Sequence, residues 1–266
     1  MRNTLYTVLT AVALLGTPAT LTAAAETLAT TEAAVTQEAH GEWTALLSKY
    51  VTESADGVNR FDYGGLKDDG ADAEALDAYL ERLAAIDIAS LSRDEQYVLW
   101  VNAYNALTVK HIIGRYPVKS IRSGYIVGPW KKVTTNVGGR EISLNDIEHE
   151  VLRKDWDEPR THYAVNCASY GCPNLKTSAW EVATLEQDLT EAAKAYINHP
   201  RGVTIRKDGK LKVSTIYKWF KEDFGGNEAG VIDHLLQYAE PELSANIQNN
   251  PKIRTYDYDW SLNDTE

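Results

Sequence analysis

Apolar residues recur at helical spacing through the first half of the chain and begin to alternate in its middle and late parts. In "EWTALLSKYVTE" (Glu42–Glu53), Trp43, Leu46, Leu47 and Tyr50 share one face of a helix. A Gly-containing loop and "RFDYGGL" follow, and then the pattern predicts a helix from Asp72 to Ala85. The strongest helical segment is "SRDEQYVLWVNAYNALTVKHIIGRYP". Ser92 and Glu95 open it as a capping box, and Gly114 and Pro117 close it. Tyr97, Trp100, Val101, Tyr104 and Thr108 occupy one side and Val109 and Ile113 the other, so no polar face is left. A helix without a polar face is a buried helix. Asn102, Asn105 and His111 therefore need hydrogen-bond partners, with His111 expected to be a satisfied core histidine.

"KKVTTNVGGREIS" alternates around Gly138-Gly139 and reads as a hairpin. "SLNDIEHEVLRKD" is a second capped helix, with Ser143 placed against Asp146. On its wheel Ile147, Val151 and Leu152 form the apolar stripe, Glu148 lies at the stripe's edge, and His149 points away from it. "RTHYAVNC" reads as a short strand running into a cysteine loop, with His162 and Asn166 on the face opposite Cys167. A helix from about Thr184 to Asn198, a hairpin around Asp208-Gly209, "IYKWFKEDF", "EAGVIDHLLQYA" and "KIRTYDYDW" complete the chain. The expected fold is α+β, one helix-rich domain with short antiparallel hairpins.

The N-terminus changes the domain plan. "MRNTLYTVLTAVALLGTPATLTAAAE" has an early Arg, an apolar run from Leu5 to Leu15, and small residues up to Ala25. That is the layout of a secretory signal peptide over 1–25, its apolar centre being short for a membrane span. Residues 26–40 read as a linker and 41–266 as the globular domain, about 225 residues, enough for one sizeable core. The expected location is periplasmic or secreted, with no membrane insertion after cleavage. A net charge of −11 and a pI near 5.1 argue against nucleic acid as a partner, because its recognition needs a basic surface. A small-molecule or peptide substrate is the expected partner. Seven Trp and fifteen Tyr stand beside three Phe. Such side chains suit grooves as well as cores.

The two cysteines, Cys167 and Cys172, both fall in "HYAVNCASYGCP". Three readings stay open. An exported chain with an even cysteine count invites a disulfide, structural or redox-active. A loop this short contributes only about 2 kcal/mol by chain entropy. A metal pair lacks the usual C-x-x-C spacing and any nearby His pair. A nucleophilic Cys167 needs a base, which His149 could supply, and a group to orient that base. "HEVLR" begins like a zinc-protease helix but has Arg153 where the second His belongs. No phosphate loop and no G-x-S-x-G elbow appears, so no metal and no cofactor is expected.

Four stretches, "LWVNAYNALTVKHII" (99–113), "SLNDIEHEVLR" (143–153), "PRTHYAVNCASYGCP" (159–173) and "STIYKWFKEDF" (214–224), resemble the domain of unknown function 547 family. The resemblance implies functional weight at Asn102, Tyr104 and Asn105, at Glu148 and His149, and at Asn166, Cys167 and Cys172 with Pro173. Some animal members of that family join the domain to a glutaredoxin module, which implies a thiol-related context. Plant members carry Ser in place of the second cysteine, which implies that the first is the functional one.

The resulting expectation is a cysteine-dependent hydrolase or acyl transferase acting on a peptide or thiol-containing amide, with a cysteine-protease or transglutaminase-like arrangement. Cys167 would attack, and His149 would act as base and then acid. Glu148 or an Asn of the 102–105 segment would orient the imidazole or line an oxyanion site. His precedes Cys here, the reverse of papain's order, although such sites are defined by geometry. The alternatives are a binding or scaffold domain stapled by a Cys167–Cys172 disulfide, and a thiol–disulfide redox protein.

Overall fold

The computed structural model describes residues 39–265. The expected signal peptide and most of the expected linker lie outside the described residues. His40, at the linker's end, is already helical and buried, and its Nδ1 meets Tyr79 Oη at 2.7 Å.

Helix α1 occupies 39–50 and leads into a two-stranded ribbon, β1 (Val51–Thr52) against β2 (Arg60–Phe61). Next come α2 (Tyr63–Asp68) and α3 (Gly70–Ala84), capped by the side chains of Asp62 and Asp69. Helix α4 (Arg93–Ile113) carries the expected Ser92–Glu95 capping box and ends at Gly114. From Tyr97 to Val109 every residue of α4 is buried, as its apolar circumference requires. It forms the axis of the main core, against which α1, α3 and the segment after the hairpin pack.

That hairpin, β3 (Thr134–Val137) and β4 (Arg140–Ser143), turns at Gly138-Gly139 with Val137 paired to Arg140. It feeds α5 (Leu144–Asp146), a π-helical turn (Ile147–Leu152) and α6 (Arg153–Asp155). The expected continuous α-helix is thus widened at "IEHEVL". Single π turns are enriched at functional sites, because they re-aim side chains that a regular helix would place elsewhere. Glu148, expected at the edge of the apolar stripe, is turned fully inward and is 6% exposed.

"RTHYAVNC" is not a strand. Residues Thr161–Ala164 form one helical turn, α7, and only then does the chain extend into the cysteine loop. The period-2 argument that set His162 and Asn166 opposite Cys167 therefore fails.

A second core lies under α8 (Leu185–Ile197), α9 (Ile216–Trp219) and α10 (Glu228–Tyr238). It packs on a three-stranded sheet of order β5 (Val203–Ile205), β6 (Leu211–Ser214) and β7 (Ile253–Asp257). β5 and β6 form the expected hairpin, whereas β7 returns after α11 (Pro241–Asn249) to pair parallel with β6. This return brings Tyr258 and Trp260 to the edge of the cysteine loop. No described helix is long and apolar enough to cross a membrane.

Candidate functional site

The cysteine loop is held by buried amides. Asn105 of α4 donates from Nδ2 to the Ala164 carbonyl at 3.0 Å, and its Oδ1 accepts the Asn166 backbone N–H at 2.8 Å. Asn166 in turn donates to the Pro173 carbonyl at 2.7 Å and accepts the Ala168 N–H at 2.8 Å, so one side chain ties both ends of the loop. Asn102 braces a different segment, exchanging two hydrogen bonds with the backbone of Trp180. None of these three Asn residues lines the cavity described below. Inside the loop Ala168 has φ 58°, a left-handed conformation that costs a non-glycine residue energy and persists only where surroundings enforce it. At Gly171 a Cβ would lie 2.8 Å from the Asp259 carbonyl oxygen, so glycine lets the loop press against the extended chain that leaves β7.

Cys167 and Cys172 are joined in a disulfide, with Cα atoms 6.2 Å apart. Cys167 accordingly offers no free thiolate in this state. Both sulfurs line a cavity of about 820 Å³, together with Tyr104, Glu148, His149, His162, Tyr258 and an aromatic rim. Cys172 is only 3% exposed, whereas Cys167 is partly open. The Cys172 sulfur accepts the backbone N–H of Cys167 at 2.9 Å. Tyr258 Oη lies 3.0 Å from one sulfur and 3.1 Å from the other. Bridged sulfurs carry no proton, so the phenol is the donor. Burial holds the Tyr258 pKa well above the usual phenol range, which keeps that proton in place.

Of the sequence-derived residues, the two cysteines, Tyr104, Glu148, His149 and His162 are thus brought together. Glu148 receives the Tyr104 hydroxyl at 3.2 Å. Burial raises its pKa to about 7, opposed by that hydrogen bond and by the Arg153 charge.

His149 differs from the expected base. Its Nδ1 is 2.6 Å from Arg153 Nη1. A guanidinium can only donate, so Nδ1 accepts and the neutral ring carries its proton on Nε2. Burial and the Arg153 charge lower its pKa and favour that neutral form. His149 is therefore an N–H donor on the cavity wall. His162, expected to face away from Cys167, lines the same cavity and contacts Asp223 through Nε2 at 2.7 Å. Asp223 also receives Arg153 at 2.5 and 2.8 Å. Burial opposes ionisation of Asp223, but the hydrogen bonds from His162 and Arg153 outweigh it and hold the carboxyl well below the usual range. His111, expected to be satisfied in the core, is partly buried, its Nε2 has no hydrogen-bond partner among the described residues, and burial lowers its pKa to about 4. Among the described residues no group of three or more His, Cys, Asp or Glu side chains is placed to hold a metal ion.

Sequence reasoning missed Tyr258, Trp260, Arg153 as a functional contact, and Asp223. Asp223, Trp219 and Phe220 all fall in "STIYKWFKEDF", one of the stretches carrying the family resemblance.

Comparison with known proteins bears on this arrangement directly. Residues 88–197 match the family model for DUF547, described as a protein of unknown function. The chain resembles DUF547. The matched segment, somewhat less than half of the chain, holds α4, the π turn and the whole cysteine loop, while Trp219, Asp223 and Tyr258 lie beyond it. Neither the curated proteins nor the solved structures compared with the chain include a match.

Proposed function

We propose that the cavity is a thiol–disulfide exchange site and that Cys167–Cys172 is its redox pair. The observation that carries this reading is the asymmetry of the bridge. Cys167 is the more exposed residue of the pair, and the Cys172 sulfur has one hydrogen-bond donor more, the Cys167 N–H, beside the Tyr258 hydroxyl that both sulfurs share. A thiolate leaves fastest when its charge is stabilised, and hydrogen bonds to a charged acceptor are the strong ones.

A substrate thiolate attacks Cys167 Sγ, the S–S bond breaks, and Cys172 departs with its electron pair onto the Cys167 N–H and the Tyr258 hydroxyl. A second substrate thiolate then attacks the mixed disulfide and releases Cys167. Two substrate thiols become one disulfide, and the cysteine pair takes up the two electrons and two protons. A disulfide compound of the opposite reaction restores the bridge by the same steps reversed. Glu148, with a pKa near 7, serves as the cavity's proton exchanger, because a group half-protonated at working pH both gives and takes protons readily. The reaction belongs outside the cytosol, where an N-terminal signal would deliver the chain and where a bridge persists between turnovers.

The test is reduction of the native protein by dithiothreitol, followed by acid quench, alkylation and mass analysis. Reduction at least about tenfold faster than that of an unactivated exposed disulfide supports the reading. A bridge that opens only after denaturation sinks it.

A second reading keeps the cysteine-dependent hydrolase or acyl transferase, with Cys167 attacking an amide once the bridge is reduced. It is favoured by His162 on the same cavity wall, whose Nε2 meets Asp223 behind it in the form of an imidazole oriented by a carboxylate. Cys172→Ser separates the two. Turnover is lost if Cys172 is a redox partner and retained if Cys167 acts alone.

A further inference from the structure

The cavity mouth carries a charge pattern opposite to that of the chain. Net charge is −11, yet Arg122, Lys131 and Lys132 all line this cavity and all are exposed. Among the described residues none of the three forms an ion pair with a carboxylate. Arg122 instead stacks on Trp260 at 4.8 Å and Lys132 faces the Tyr125 ring at 5.7 Å. On the described wall Glu148 is the single acid, and it is buried, half-neutral at pH 7 and shared with Tyr104. The cations come from one stretch between α4 and β3, whose turn at Gly128 (φ 88°) lets the Trp130 ring lie directly over the backbone, where a Cβ would clash. Trp130 in turn meets Trp260 edge-on at 5.7 Å, so Arg122 is mounted on a packed pair of indoles.

We propose that the site selects thiols and disulfides bearing carboxylates, held by Arg122, Lys131 and Lys132 while their sulfur reaches Cys167. This rests on the exchange reading above. Three cations with no carboxylate partner among the described residues, set around a cavity mouth, raise the local concentration of anions and lower that of cations, while the surrounding acidic surface repels anions that approach elsewhere. A guanidinium already stacked on an indole keeps its N–H edges free for a carboxylate at little entropic cost.

The experiment uses three disulfides of similar size: 3,3'-dithiodipropionate (dianionic), bis(2-hydroxyethyl) disulfide (neutral) and cystamine (dicationic). Each oxidises the reduced protein, and each rate is divided by that for dithiothreitol in free solution to remove intrinsic reactivity. Expected is an order dianionic, neutral, cationic, with the first about tenfold ahead of the second at low salt and the gap closing at high salt. The ratio falls toward one in the Lys131→Gln/Lys132→Gln variant. Equal normalised rates, or preference for cystamine, overturn the inference and leave the exchange reading standing.

A separate arm removes exchange altogether. Binding of 3,3'-thiodipropionate, a dicarboxylate thioether, to the oxidised protein is followed by tryptophan fluorescence and competed with salt. Saturable binding that weakens in the double Gln variant supports carboxylate selection even if no disulfide exchanges. Absence of saturable binding rejects it.

Discussion

Arg153 donates to Nδ1 of His149 across 2.6 Å, and that contact decides what the imidazole can do. With Nδ1 occupied by a donor, the proton of the neutral ring belongs on Nε2, so His149 presents a hydrogen-bond donor to the cavity. Arg153→Met should release Nδ1 and raise the His149 pKa, because it removes a neighbouring cation and leaves Asp223 less neutralised. Nitrogen-15 chemical shifts of the ring report both changes. The variant should also lose on the order of 1–3 kcal/mol of stability, since the charge-assisted bonds to Asp223 go with it. A wild-type ring protonated on Nδ1 would reverse the assignment.

The asymmetry of the bridge predicts an order of reactivity between its two halves. Cys172→Ser leaves Cys167 partly open, and a small disulfide should trap it quickly as a stable mixed disulfide. Cys167→Ser leaves Cys172, which is 3% exposed, and trapping should be slower by at least about tenfold. Intact-mass measurements over time give both rates. Equal rates would mean that the burial difference has no chemical consequence.

Much of this arrangement is readable from the chain, for reasons that differ by residue. The burial of α4 follows from its apolar circumference, and Asn102 and Asn105 need partners for that reason. Both hairpins follow from Gly138-Gly139 and Asp208-Gly209, whose turns suit positive φ at Gly138, Gly139 and Gly209. The π turn is not readable, because "IEHEVL" has an ordinary α-helical wheel and the widening depends on tertiary packing. That difference turns Glu148 inward. The helical turn at Thr161–Ala164 defeats a β-like pattern in the same way, and it moves His162 onto the cavity. Tyr258 and Trp260 arrive through the parallel pairing of β6 and β7, a long-range contact that no local pattern encodes.

Glu148 makes stability depend on pH in a stated direction. Its ordinary pKa is 4.5, and burial raises it to about 7 in the folded chain. Between those values the folded state binds more protons than the unfolded state, so stability falls as pH rises through the window. The cost is absent below the ordinary value and complete above about 7. Glu148→Gln keeps an acceptor for Tyr104 and carries no charge. It should stabilise the protein by on the order of 3 kcal/mol at about pH 8 and change little near pH 4. Denaturant midpoints at the two pH values provide the check, and an effect independent of pH would contradict the buried-carboxylate account.

Reduction of the bridge should cost little stability. Only four residues lie between its cysteines, Asn105 and Asn166 already pin the loop, and a loop this short adds about 2 kcal/mol at most by chain entropy. Urea midpoints with and without reductant should therefore differ modestly, with the same cooperativity. A collapse of the transition on reduction would show that the bridge is chiefly a staple and would weigh against the exchange reading.

His234 makes the opposite pH prediction from Glu148. It is buried in the second core, with Nε2 2.8 Å from Tyr163 Oη, which also lies 3.1 Å from Tyr217 Oη. Burial lowers its pKa from 6.5 to about 4. Between those values the unfolded chain binds the extra proton, so the contribution is full above 6.5 and is lost as pH falls toward 4. A shift of this size corresponds to roughly 3 kcal/mol. His40, lowered to about 4 by burial and then by the Arg82 charge, acts in the same direction. His234→Gln should start less stable at about pH 7.5, having lost a fitted ring, yet show a shallower decline on acidification. Chemical denaturation across that range reads the slope directly. A slope equal to that of the wild type would mean that His234 takes up its proton without leaving the fold.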